Sequence, residues 1–280
     1  MAIVTFYRRG KKETGQTLSL AAIATNMAIE HNYKILIVDT AFQYKILEEC
    51  FWPIQKEAPV INPNEKGANE AIESGIEGLT KVISSNKTTP EIVRNYCKII
   101  LRERLDFLQA PLTTEYKDYA DVAPKYIDVL NAANRYYDYI FVDLYKDLPN
   151  DVKEGILQIS DIIVYNILQN FDSINDFLDL RSSNDFFKRR NVMILLGRCD
   201  LDSKYNAKNV TRYLKERNQV SCVPYNTLFF EACSENKLIE FLLKFRKLTD
   251  DLDRNAVFMK TIEQTVIAII DKLHEVQMRA

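Results

Sequence analysis

The sequence predicts an α/β fold: a doubly wound, mostly parallel sheet flanked by helices. Three observations lead there. Short apolar runs alternate along the chain with longer segments of helical period. Several runs, residues 34–39 and 139–143 among them, are apolar almost continuously rather than at every second position, which marks strands buried on both faces. Strands of that kind alternating with helices form a parallel sheet whose crossover helices cover both sides.

Taken in order, residues 3–7 read as the first strand. Residues 18–31 read as a helix apolar on most faces, hence largely buried. The run Lys-Ile-Leu-Ile-Val-Asp at 34–39 is the second strand. Helical patterns follow at 44–50, 76–84 and 90–104, then a strand at 105–109, a helix at 120–136 and a strand at 139–143. Residues 152–158 continue the helical pattern. Strands at 161–166, 191–196 and 219–223 alternate with helices at 174–180 and 204–217. Residues 62–75, rich in Asn, Glu and Gly, read as a surface excursion, and nothing marks a second domain. The expectation is one domain over 1–280, with a C-terminal helix at about 253–277 packing on it or on a partner.

Composition sets the class. Of 280 residues, 47% are hydrophobic and 27% charged, ordinary for a soluble chain with a sizeable core. A net charge of −2 gives no global reason to expect nucleic acid or anionic membrane. Five scattered cysteines (Cys50, Cys97, Cys199, Cys222, Cys233) without a C-x-x-C pair fit reduced thiols better than disulfides or a zinc site. With no signal peptide and no bilayer-length apolar stretch, the expected location is cytoplasmic.

Between the first strand and first helix lies Gly10-Lys11-Lys12-Glu13-Thr14-Gly15-Gln16-Thr17. It matches G-x-x-x-x-G-x-T, a phosphate loop in which backbone N–H groups and a helix N-terminus surround phosphates while the Thr hydroxyl meets Mg²⁺. The position that should hold lysine holds Gln16. Alone, such a loop reads equally well as a tight β–α turn. Two further strands, however, end in Asp39 and Asp143, and a carboxylate at a strand's carboxyl end beside such a loop is where a Mg²⁺-linked group belongs. The alternative for each aspartate is a helix N-cap.

In this order the motifs resemble the ParA/MinD family, the deviant-Walker-A P-loop NTPases that position plasmids, division proteins and polar machines. The family loop reads G-K-G-G-x-G-K-T, so Lys11 falls on its signature lysine, which reaches across an ATP-sandwich dimer. Residues 33–43, 105–111 and 137–143 resemble further family segments, and Val223-Pro224-Tyr225-Asn226 resembles the one near the nucleotide base. The likeness runs through about residue 245. It implies ATP or ADP with Mg²⁺ as cofactor, loop residues 10–17 with Pro224 and Tyr225 around the nucleotide, and Thr17, Asp39 and Asp143 around the metal. A homodimer and a protein partner in a larger assembly are implied as well. Degenerate relatives of the TadZ/CpaE group serve as localisation factors in pilus assembly.

The departures point to impaired turnover. Gln16 replaces the lysine that bridges phosphates, Lys12 and Glu13 replace two glycines, and Ala41 stands where relatives carry the second aspartate of D-x-D. Losing one charge-assisted hydrogen bond, about 1.5–3 kcal/mol, weakens binding roughly tenfold to a hundredfold. Lys11, Lys12, Arg8 or Arg9 remain as substitute charges. The expected function is nucleotide-dependent dimerisation in spatial positioning or assembly, with weak or absent hydrolysis. A nucleotide-independent pseudo-NTPase scaffold and a DNA-associated partition protein stand as alternatives.

Other features read more plainly. His31 and His274 lie near helix ends and read as surface residues. The C-terminal segment carries Leu252, Met259, Ile262, Val266, Ile269, Leu273 and Val276 at near-heptad spacing, with Asn255 as the exception, but few basic flanks. This favours packing on the sheet or a partner helix over membrane binding and leaves a short self-association seam as an alternative. The run Lys188-Arg189-Arg190 offers a nonspecific DNA contact, set against a charged helix end.

Overall fold

The first strand of the chain lies inside the sheet, between two parallel neighbours. A computed structural model describes residues 1–10, 13–53, 75–83, 90–188, 191–217 and 220–278. Its strands are β1 (Ala2–Tyr7), β2 (Ile35–Asp39), β3 (Lys98–Leu101), β4 (Leu105–Leu108), β5 (Tyr139–Asp143), β6 (Ile162–Ile167), β7 (Val192–Cys199) and β8 (Ser221–Pro224). They form one eight-stranded sheet in the order β3-β4-β2-β5-β1-β6-β7-β8. Every pairing is parallel except β3 with β4. The doubly wound parallel architecture expected from the apolar runs is the one observed.

Alternate residues of each strand feed two cores. Ile3, Leu36, Ile140 and Ile163 face one layer, whose helices are α3 (Gly75–Ile83), α4 (Tyr116–Val122), α5 (Tyr126–Ala133), α6 (Asn150–Ile159), α7 (Phe171–Ser183) and α8 (Ala207–Leu214). Val4, Ile37, Phe141 and Val164 face the other. That layer holds α1 (Gln16–Glu30), the single turn α2 (Ile46–Glu49), α9 (Thr227–Ser234), α10 (Leu238–Phe245) and α11 (Arg254–Gln277). The reading of α1 as largely buried holds, since every residue from Leu20 to Ala28 is buried.

Helix α11 explains how so apolar a helix as α1 tolerates its place. Its stripe Phe258, Ile262, Val266, Ile269 and Leu273 packs in the same core as α1, each large side chain contributing about 1.5–3 kcal/mol. Two hydrogen bonds tie it to β8 and the turn that follows: Thr265 Oγ1 donates to the Cys222 carbonyl at 3.2 Å, and Asn226 Nδ2 donates to Asn255 Oδ1 at 3.0 Å. Asp253 caps the helix, accepting from the Asn255 and Ala256 amides. Among the described residues, no helix is long and apolar enough to cross a membrane.

Two expectations change. The helical pattern at 90–104 resolves into a 3₁₀ turn, Pro90–Tyr96, followed by β3. That strand turns back into β4 through Glu103, at φ 62°. Helices α9 and α10 lie beyond the last strand read from the sequence, in a stretch where the pattern predicts no element. The cysteines are all free, and Cys50, Cys199, Cys222 and Cys233 are buried. The surface excursion expected at 62–75 falls outside the described residues except for Gly75.

Candidate functional site

The loop between β1 and α1 is bounded by two glycines in left-handed conformation, Gly10 at φ 81° and Gly15 at φ 74°. Both are positions where a side chain would strain the backbone. Gly15 is the N-cap of α1 and has no side chain to offer, so no side-chain cap covers the first amides of the helix, and no acidic residue sits in its first turn. Uncapped N–H groups at the positive end of the helix dipole form a seat for an anion.

Directly behind that seat stand the two strand-end aspartates. Asp39 and Asp143 are register partners at the carboxyl ends of β2 and β5, and both are almost completely buried. Thr17 Oγ1 donates to Asp143 Oδ2 at 2.7 Å. Gln16 Nε2 donates to Asp143 Oδ1 at 2.5 Å and to the Leu144 carbonyl at 3.2 Å. A primary amide has two N–H groups, and both are committed here. Gln16 therefore does more than leave the lysine position vacant: its side chain, 4% exposed, turns inward to hold Asp143, and its Oε1 has no hydrogen-bond partner among the described residues.

The carboxylates feel each other and their burial. Burial first, and then the Asp143 charge, push Asp39 up to about 8, against an opposing hydrogen bond from the Ala41 amide. Burial also raises Asp143, opposed by the Thr17 and Gln16 hydrogen bonds and the Arg8 charge. Two adjacent buried acids held this way have a strong affinity for positive charge.

The chain beyond β2 is fixed by groups that sequence reading missed. Thr40 Oγ1 donates to the Asp143 carbonyl at 2.7 Å and accepts from the Tyr145 amide at 2.9 Å, bridging the ends of β2 and β5. Tyr126 donates its hydroxyl to the Asp39 carbonyl and Tyr119 to that of Thr40, both from buried positions on the helical layer. The signal available in the sequence was a tyrosine on the apolar face of a helix, which needs a hydroxyl partner when buried.

A second missed element is the end of β7. A Cβ built on Gly197 would lie 2.0 Å from the Thr14 carbonyl oxygen, so strand and loop are in direct backbone apposition. The next residue, Arg198, has φ 53° at an irregularity between Gly197 and Cys199, and its stem covers Gly15.

Of the other expected loop residues, Thr14 is buried and Glu13 exposed, while Lys11 and Lys12 lie outside the described residues. Pro224 ends β8, and the Tyr225 amide donates to the Cys199 carbonyl at 2.9 Å, leaving its ring 55% exposed next to the end of β7. In the basic run, Lys188 pairs with Asp185, and Arg189 and Arg190 lie outside the described residues.

For Mg²⁺ the donor chemistry fits. Thr17 Oγ1, Asp143 and Asp39 are hard oxygen donors, and Mg²⁺ takes one or two carboxylates together with water and phosphate oxygens. The burial and the neighbouring Asp143 charge that raise Asp39 are penalties on the ionised pair that a bound cation would relieve.

No protein-family model matches the sequence, and no curated protein sequence does. Solved structures do match. A ParA family ATPase from Chlorobium tepidum TLS superposes with a TM-score of 0.69 at 16% identity, covering 95% of this chain and 97% of its own. The septum site-determining protein MinD from Pyrococcus horikoshii OT3, complexed with Mg-ADP, gives 0.62 at 14% identity, covering 94% and 95%. A plasmid partition protein from Borrelia burgdorferi B31, bound to AMPPNP, gives 0.60 at 17%, covering 97% and 98%. At such identities the likeness establishes architecture, and the architecture of this chain is that of the ParA/MinD P-loop NTPases.

Proposed function

We propose that this chain is a ParA/MinD-like nucleotide-binding protein that seats ATP or ADP with Mg²⁺ on the loop at 10–17. It hydrolyses the nucleotide weakly or not at all. It works through nucleotide-dependent dimerisation in the positioning or assembly of a larger machine. The observation that carries the reading is the Thr17–Asp143 hydrogen bond at the first turn of α1, with Asp39 as register partner. Thr17, Asp39 and Asp143 would hold the ion, which when bound neutralises phosphate charge. Two of the similar structures contain Mg-ADP and AMPPNP, which supports a nucleotide in this seat.

Weak turnover follows from this chain's own residues. The Gln16 amide is neutral and engaged with Asp143 and Leu144, so it brings no charge to a transferring phosphoryl group. Ala41 spends its amide on Asp39 and has no side chain with which to orient water.

A thermal unfolding assay with millimolar ATP or ADP and Mg²⁺ tests the seat. At a hundredfold excess over the dissociation constant, a ligand adds about 2.7 kcal/mol, a shift of several degrees. Thr17→Ala should remove it. No shift for the wild type with any nucleotide sinks the binding claim and leaves the nucleotide-independent scaffold, the reading that the inward-turned Gln16 amide favours.

The lysine can also be put back. Gln16→Lys is expected to tighten ATP binding roughly tenfold to a hundredfold, the value of a charge-assisted hydrogen bond of about 1.5–3 kcal/mol. Equilibrium dialysis against labelled nucleotide measures it, and an unchanged affinity would show that Gln16 is not what limits the seat.

A further inference from the structure

With Gln16 turned inward, the seat needs a cation from elsewhere, and the described basic residues near it differ in what they face. Arg8 acts on Asp143 and Tyr145. Arg9 acts on Tyr7 and Tyr165, and it lines a cavity of about 580 Å³ with Lys153 and Glu154 on the α6–α7 side of the sheet. Arg198 is held against the loop itself.

Its placement is built into the fold. A Cβ on Gly15 would come within 2.7 Å of Arg198 Cγ and 3.1 Å of Cδ, so the aliphatic stem occupies the space that glycine leaves open. The backbone reaches that position through the left-handed conformation at the β7 irregularity, uncommon for a bulky residue and maintained only where the surroundings impose it. Beyond Gly15 the guanidinium meets Glu13, with Nη1 4.0 Å from the carboxylate. Glu13 is 88% exposed and the Arg198 side chain 50%, so this pair is loose and solvent-screened. A guanidinium fork on a phosphate makes shorter, paired hydrogen bonds than this contact does.

We propose that Arg198 is a ligand-positioning residue of this seat: its guanidinium, loosely paired with Glu13, exchanges that carboxylate for the phosphate chain of a bound nucleotide. The assignment rests on the nucleotide reading above. It makes Glu13 a competitor for the same cation and gives Gly15 a role besides its φ, as the bed for the Arg198 stem.

Calorimetric titration of the full chain with Mg²⁺ and either ATP or tripolyphosphate tests it, using wild type, Arg198→Gln, Arg198→Lys and Glu13→Gln. Glutamine keeps the methylenes that lie on Gly15 and removes only the charge. Arg198→Gln is expected to weaken both ligands alike by about threefold to tenfold and to flatten the salt dependence of binding, an effect that packing loss does not produce. Arg198→Lys should retain most of the affinity, and Glu13→Gln should tighten both ligands by about threefold. Should Arg198→Gln lower the melting temperature of the free protein, Arg198→Lys, which meets the same backbone strain, decides by keeping or losing affinity.

Unchanged affinity in Arg198→Gln overturns the assignment and leaves the nucleotide reading standing. A loss confined to ATP, with tripolyphosphate unaffected, also overturns it, because Arg198 would then read base or sugar. A wild type that binds neither ligand overturns the nucleotide reading and this assignment together.

Discussion

Gly197→Ala is expected to destabilise the protein by about 3 kcal/mol or more and to abolish nucleotide protection, at a residue that carries no reactive group. The added Cβ would lie 2.0 Å from the Thr14 carbonyl oxygen and 3.2 Å from its carbon. An ordinary carbon–oxygen contact needs over an ångström more, so β7 or the loop must shift by about that distance. Neither obstacle is a side chain that could rotate away, since both sides of the contact are backbone. β7 is held by β6 and β8, and Thr14 by the entry to α1. Urea unfolding of the variant, followed by the nucleotide shift assay, measures both effects. A variant as stable as the wild type would mean that strand and loop do not meet as described.

Stability should also fall steeply as pH rises, in the absence of divalent cations. The folded Asp39 carboxyl, at about 8, lies above its ordinary value of 3.8 because of burial and the neighbouring Asp143 charge. A raised folded value means that the stabilisation is complete below about pH 4 and is lost as pH climbs towards 8. Asp143, raised as well, acts in the same direction. The span of Asp39 alone corresponds to about 6 kcal/mol. Asp39→Asn, neutral and nearly isosteric, should flatten this profile and be the more stable protein at pH 8. Mg²⁺ should stabilise the wild type at pH 8 far more than at pH 5, and the Asn variant little at either. Urea midpoints at the two pH values decide it. Equal midpoints for the wild type would show that Asp39 is not held in the environment described.

The sheet was legible where strands are buried on both faces. β2, β5 and β6 are apolar runs whose every residue is buried, and such runs announce themselves. β3 did not, because it is an edge strand with Lys98 and Ile99 turned partly to solvent, and its Ile-Ile-Leu continued a plausible helical stripe. The spacing of α9 and α10 is short, eight residues each, and the exposed Leu228, Phe230 and Leu243 blur their amphipathic pattern.

In the candidate site, the places of Gly10, Gly15, Thr17, Asp39 and Asp143 at strand ends or the helix start were legible because they fall in an ordered series of motifs. Gly197 and Arg198 were not, since their nearness to residues 13–15 is a tertiary fact created by the neighbouring places of β1, β6 and β7. The one trace in the sequence is the Gly-Arg break that ends the apolar run Val-Met-Ile-Leu-Leu. Gln16 shows another limit: its place in the loop pattern tells which group is missing, and only the hydrogen bonds tell what the replacement does.

The partnership of α1 and α11 bears on how the protein is made. The helix that carries Gln16 and Thr17 is buried nearly throughout, and much of its cover is a segment more than two hundred residues downstream. During ribosomal synthesis, the apolar side of α1 that α11 will occupy stays uncovered until that segment emerges. The phosphate loop is thus translated well before the segment that seals its supporting helix.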